Sequence, residues 1–317
     1  MSATHFNGSL RAMALGLVLT LALAGCDREG GDEEKVVKVF GATGLSPGEF
    51  SYPRAISVSP VDGCVFVVDK TARVQRFSAD GEYQTQWRMP EYADGKPTGI
   101  YVDDTGLVWV ADTHYARVMV FDREGHEQFR FGSRGEGPGQ FIFPTDVVID
   151  QDRIIYVGEY GENSRISRFR KVSSGGVQYI NSFADKNSGD GWVERPQALA
   201  LDEKGVLWVA DACRHRICRY DRVSGKLLSG FGSAGSDLAS FNYPYGMALE
   251  HHGTLLVADR CNNRLVRYER SGKPIAAWGS PGRAPGQVQQ PWAVAIGKND
   301  RVYCLDSWNN RVQILNW

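Results

Sequence analysis

Three carboxylates in one stretch of this chain have the type and proximity to do chemistry: Asp146, Glu159 and Glu162. Grouped carboxylates hold a hard cation such as Ca²⁺ through oxygen, or take and return a proton. Asp146 stands out, because the equivalent positions of a repeated unit carry Ala55, Gly99, Ala198, Gly246 and Ala293. Two readings stay open for it: a ligand or proton acceptor, or a carboxylate satisfied by Arg54 or by water. Zn²⁺ would need histidine or cysteine. His114 and His215 fall in loops, and Cys213, His215 and Cys218 resemble half of a zinc site. Cys213 and Cys261 share one repeat position in neighbouring units, where a disulfide is conceivable but limited by reach. Cys64, Cys218 and Cys304 read as packed thiols. No nucleophile elbow or phosphate loop is present.

The elements that must position these groups are repeats. A strand-opening proline recurs at Pro53, Pro97, Pro144, Pro196, Pro244 and Pro291. An acid closes each following apolar run, and an arginine opens the next: Asp69 and Arg73, Asp112 and Arg117, Glu159 and Arg165, Asp211 and Arg216, Asp259 and Arg264, Asp306 and Arg311. Each unit has four short apolar runs separated by turns, at a period of roughly 45–50 residues. That predicts an all-β, six-bladed propeller of four-stranded antiparallel blades. Runs such as Val206-Leu207-Trp208-Val209-Ala210 are apolar on both faces, as in strands covered on both sides. Six equal copies of the acid–arginine pair argue against catalysis. They predict structural ties, each holding the loop between the second and third strands.

The last unit ends after its third strand, whereas Val36-Val37-Lys38-Val39-Phe40-Gly41 matches fourth-strand endings such as Phe129-Arg130-Phe131-Gly132. The N-terminal strand is therefore expected to complete the last blade and remove the free edge. In such a ring, the loops entering each first strand and those joining strands two and three share one face. That face collects Arg54, His114, Tyr115, Asp146, Tyr160, Glu162, Arg214, His215, Tyr245, Arg260, Trp292 and Trp308, around a central depression expected to bind a ligand or protein.

The Ala-Asp strand ending followed by Asn262-Asn263-Arg264-Leu265 or Asn309-Asn310-Arg311-Val312 resembles the NHL repeat, and the resemblance spans residues 36–317. Members include RNA binders, interaction modules, sensor domains and amidating lyases, so it implies a fold more than an activity. The lyases hold zinc with histidines around the axis. Here His126, His251 and His252 fall on the opposite face, which disfavours that chemistry. Calcium-dependent lactonase chemistry could use Asp146 but lacks a visible partner set.

Residues 1–25 read as a secretory signal, its apolar run too short to span a membrane. The ending Leu23-Ala24-Gly25-Cys26 resembles a bacterial lipobox, which implies lipidation at Cys26, a flexible tether over 26–35 and a place in the bacterial cell envelope, outside the cytoplasm. A net charge of −1, from 36 basic and 37 acidic residues, gives no general pull toward nucleic acid. The expectation is a membrane-tethered, monomeric propeller that binds or scaffolds a ligand or protein. The alternative is a metal-dependent lyase or hydrolase, with Ca²⁺ or Zn²⁺ at the central depression.

Overall fold

The computed structural model describes residues 1–2, 31–172 and 176–317. Cys26 and the rest of the signal segment beyond Ser2 lie outside the described residues. None of the described helices is long and apolar enough to cross a membrane.

Six four-stranded antiparallel sheets surround one axis. Their innermost strands are Pro53–Val58, Gly99–Val102, Phe143–Ile149, Pro196–Leu201, Pro244–Leu249 and Ala293–Ile296. The second strands, among them Val65–Asp69 and Val108–Asp112, are buried along their whole length, as their unbroken apolar pattern requires. In four blades the opening proline faces the acid across the first hairpin: Pro53 with Asp69, Pro144 with Glu159, Pro196 with Asp211 and Pro244 with Asp259. The core is divided between the blades. One layer packs Trp208, Ala210 and Ile217 of blade four against Met247, Leu255, Val257 and Tyr268 of blade five.

Blade six is built from both ends of the folded chain. Strand Val36–Phe40 pairs antiparallel with Arg311–Leu315, matching Val36 to Leu315 and Phe40 to Val312. Phe40 then packs against Phe50 and Phe77 of blade one, which buries the seam. Residues 31–35, expected within the tether, lie against blades five and six. The Trp278 indole donates to the Asp32 carbonyl (2.9 Å), Gly279 N–H to its carboxylate (3.0 Å), and Asn316 N–H to the Lys35 carbonyl (2.9 Å).

Three of the connectors between blades share one device. After the outermost strand a glycine turns left-handed, and the chain doubles back until a buried phenylalanine covers it. At Gly41, φ is +89° and a β-carbon would lie 2.4 Å from the Phe50 ring, so no larger residue fits. Gly132 with Phe141 and Gly232 with Phe241 repeat the arrangement.

Candidate functional site

The repeated acids lie at the end of the second strands, fully or almost fully buried. Each is ion-paired with its arginine: Asp69–Arg73 at 2.9 Å, Asp112–Arg117 at 2.8 Å, Glu159–Arg165 at 2.6 Å, Asp211–Arg216 at 3.2 Å, Asp259–Arg264 at 2.9 Å and Asp306–Arg311 at 2.7 Å. The pair ties more than the loop between strands two and three, because it also fastens the incoming connector. Asp211 accepts N–H bonds from Glu194 and Arg195, Glu159 from Ile142, and Asp306 from Gln289. The arginines donate outward to connector carbonyls, as Arg264 does to Ser236, Asp237 and Ser240. Blade two lacks the common connector, and there Arg117 reaches Glu91 instead while Asp112 Oδ1 has no partner. Burial raises the Asp112 carboxyl to about 6 and Glu159 to about 7.

The asparagine pair in the motif has a division of labour. Asn262 and Asn309 donate to the buried acid of their own blade. Asn263 and Asn310 turn left-handed, a conformation asparagine tolerates, with φ of +54° and +55°. Their side-chain oxygens then accept N–H bonds from the following blade, from Gln290 at 2.9 Å and Tyr52 at 2.6 Å. His215 fills the same role toward Tyr243 through Nδ1 at 3.2 Å.

Inside these ties runs an axial channel of about 350 Å³, lined by all six innermost strands. Its neck is tight. A β-carbon on Gly99 would meet the Thr145 carbonyl at 2.4 Å and Asp146 Cα at 2.6 Å, so the small residues at this level are a steric requirement. Asp146 supplies the one carboxyl among the lining residues. Arg54 does not satisfy it; Oδ1 accepts from Val147 N–H (2.9 Å) and Oδ2 from Leu199 N–H of blade four (2.8 Å). Although it keeps some surface open to the channel, the surrounding blades withhold bulk water. That burial raises its carboxyl to about 7 against the pull of the two N–H bonds.

At the mouth, rings and guanidinium groups alternate around an arc. Arg195 lies 4.4 Å from the Tyr160 ring and 5.1 Å from Tyr245. Arg260 follows at 4.9 Å from Tyr245 and 5.1 Å from Trp292. Arg54 comes next, 5.1 Å from Trp292 and 5.7 Å from Tyr52. Trp308, half exposed, stands edge-on to Tyr52 at the rim. Of the residues expected on this face, Arg54, Tyr160, Tyr245, Arg260, Trp292 and Trp308 converge here.

Others do not. His114 Nδ1 contacts the Asp94 carbonyl (2.7 Å), and burial lowers its pKa. Tyr115 lies under Arg117, and Arg214 is spent on Trp192, through its carbonyl and its ring. The carboxylate trio separates as well. Glu159 turns to Arg165 and Ile142 N–H, Glu162 stays exposed on its loop, and Asp146 faces the channel. Among the described residues, no three His, Cys, Asp or Glu side chains converge as metal ligands. Cys213 and Cys261 are both free thiols, as are Cys64, Cys218 and Cys304. Cys218 is fully buried on its strand, its thiol raised to about 11, which takes it out of any site with His215.

Sequence reasoning missed Arg195 and Tyr52. It followed the residues after each proline, whereas these two precede Pro196 and Pro53. The preceding residue points into the mouth too, and a recurrent large side chain there was the available signal.

Comparison with known proteins agrees with this architecture. A six-bladed β-propeller family model matches residues 95–164, and an NHL-repeat model matches 194–220 and 288–315. The chain is 28% identical over 138 residues to the protein brain tumor of Drosophila melanogaster, covering 43% of this chain and 12% of that protein. It is 25% identical over 190 residues to NHL repeat-containing protein 3 of Mus musculus, covering 55% of this chain and 53% of that protein. The match thus spans about half or less of these relatives. A solved streptogramin B lyase superposes with a TM-score of 0.61 at 16% identity, over 88% of this chain and 97% of the lyase, a likeness of fold alone. By sheet geometry the chain is a six-bladed β-propeller, and residues 194–220 and 288–315 of it match the NHL repeat.

Proposed function

We propose that this chain is a membrane-tethered binding module outside the cytoplasm, anchored through lipid on Cys26, which takes a ligand or partner protein at the channel mouth. One observation carries the reading: the arc of rings and guanidinium groups from Tyr160 to Tyr52 has no carboxylate partner among the described residues and opens onto the channel. The six repeat arginines are each ion-paired with a buried acid, whereas this cluster meets none, which favours a partner that arrives from outside. The test uses the full chain in its membrane, with a photoreactive phenylalanine analogue at Tyr245. A crosslinked adduct from that position, absent when the analogue replaces His251 on the opposite face, is the expected result. Equal yields from the two positions would overturn the reading. Cys26→Ala is expected to move the protein from the membrane to the soluble fraction, and unchanged sedimentation with membranes would remove the anchor.

A second reading, a lyase or hydrolase, has one observation in its favour. Asp146 is a channel-lining carboxyl poised near neutrality, as a proton-transfer group should be. Among the described residues no cluster of His, Cys, Asp or Glu forms around it, so this reading rests on proton transfer at Asp146.

A further inference from the structure

The mouth can be assigned a ligand chemistry from the balance of its hydrogen-bonding groups. Arg54 Nε, Arg260 Nε, Gln197 Nε2 and Trp292 Nε1 are buried without a partner. All four are donors. Gln197 is 2% exposed and Trp292 7%, and both line the channel beside Arg54 and Tyr245. The orientation of the Gln197 amide is fixed, because its Oε1 already accepts from Arg195 Nε at 2.8 Å, which leaves its buried NH₂ as the unpartnered group. Buried donors without acceptors are costly, and several at one place need a common acceptor.

Charge points the same way. Arg54, Arg195 and Arg260 form no ion pair among the described residues; their neighbours are rings, Gln197, Gln290 and the Tyr52 hydroxyl. Burial, with Arg195 close by, lowers the Arg54 pKa. The carboxylates closest in the chain or the channel are engaged elsewhere or stay exposed. Asp146 is bonded to two backbone N–H groups deeper in the channel, and Glu162 and Glu194 are exposed on the rim.

We infer that the channel mouth is an oxyanion site that takes a small organic acid or phosphate, its carboxylate or phosphoryl oxygens facing Arg54, Arg195, Arg260, Gln197 and the Trp292 indole. Only a group with several lone pairs and negative charge satisfies such a set together, and charge-assisted bonds of this kind are the strong ones. The mouth opens onto the axial channel through Arg54, Gln197, Tyr245 and Trp292, and the Tyr245 and Trp292 rings offer planar walls to the rest of a small molecule. The inference rests on the mouth being the binding site and narrows what binds there.

The experiment follows the indole N–H signal of Trp292 in ¹⁵N-labelled full-length protein, assigned by its loss in Trp292→Phe. Citrate, inorganic phosphate and glycerol are titrated in turn at matched ionic strength. A saturable shift with citrate, phosphate or both is expected, and none with glycerol; which anion works distinguishes a carboxylate from a phosphate ligand. Arg54→Gln and, separately, Arg195→Gln should each weaken binding by about 10-fold or more, with the other indole signals unmoved as proof of folding. No saturable shift with either anion up to about 10 mM, or shifts that survive both arginine variants, would overturn the inference. If anions fail while crosslinking from Tyr245 still captures a partner, the mouth remains the binding site and only its oxyanion character falls.

Discussion

Two sets of arginines occupy the same end of this molecule, and they differ in what surrounds them. The six third-strand arginines each meet a buried acid, and most also donate to carbonyls of the neighbouring connector. The three at the mouth meet aromatic faces and, among the described residues, no acid. A saturated guanidinium is a tie whose removal is felt by the fold. An unsaturated one contributes little to the fold and is free to serve a ligand.

The sharpest way to break this contrast is at the tie. Asp211→Ala removes the partner of Arg216 and the acceptor for Glu194 and Arg195 N–H, and should cost about 3–5 kcal/mol in chemical denaturation. Unchanged stability would show that the belt does not hold the blades. An intermediate effect belongs to Asp146. Its folded carboxyl, raised to about 7, keeps a proton that the unfolded chain, with its ordinary value of 3.8, gives up. Stability at this site is therefore full at low pH and is lost as pH rises through 7. Asp146→Asn cannot ionise, so its stability relative to wild type should rise by about 2 kcal/mol between pH 5 and 8. A flat difference across that range would place the carboxyl in ordinary solvent. The smallest effect is expected at the mouth, where Arg195→Gln should change stability by about 0.5 kcal/mol or less, and relief of its repulsion with Arg54 acts in its favour. A loss comparable to that of Asp211→Ala would make Arg195 another tie.

The ring was legible because its signals repeat: prolines, acids and arginines in register leave little choice of architecture, and the match of Val36–Phe40 to fourth strands disclosed the closure. What each acid–arginine pair fastens was hidden, since its further partners are backbone groups of the connector that any sequence supplies. The mouth was half legible. Positions after the prolines gave Arg54, Tyr245 and Trp292, but Arg195 and Tyr52 come from positions before them, and only a folded strand shows both pointing inward. The supposed carboxylate cluster failed for a reason of pairing. Pro144 faces Glu159 and Asp146 faces Gly158, and Glu159 spends its oxygens on Arg165 and Ile142.

The shared last blade also decides where mechanical load goes. Tension that reaches the ring through residue 31 is borne first by Asp32 on Trp278 and Gly279, then by the few rungs between Val36–Phe40 and Arg311–Leu315. Those rungs join chain segments that no short loop connects, so once they part nothing local draws them together again. The seam is a fuse: a pull from the N-terminal side meets these rungs before it reaches those of the other five blades.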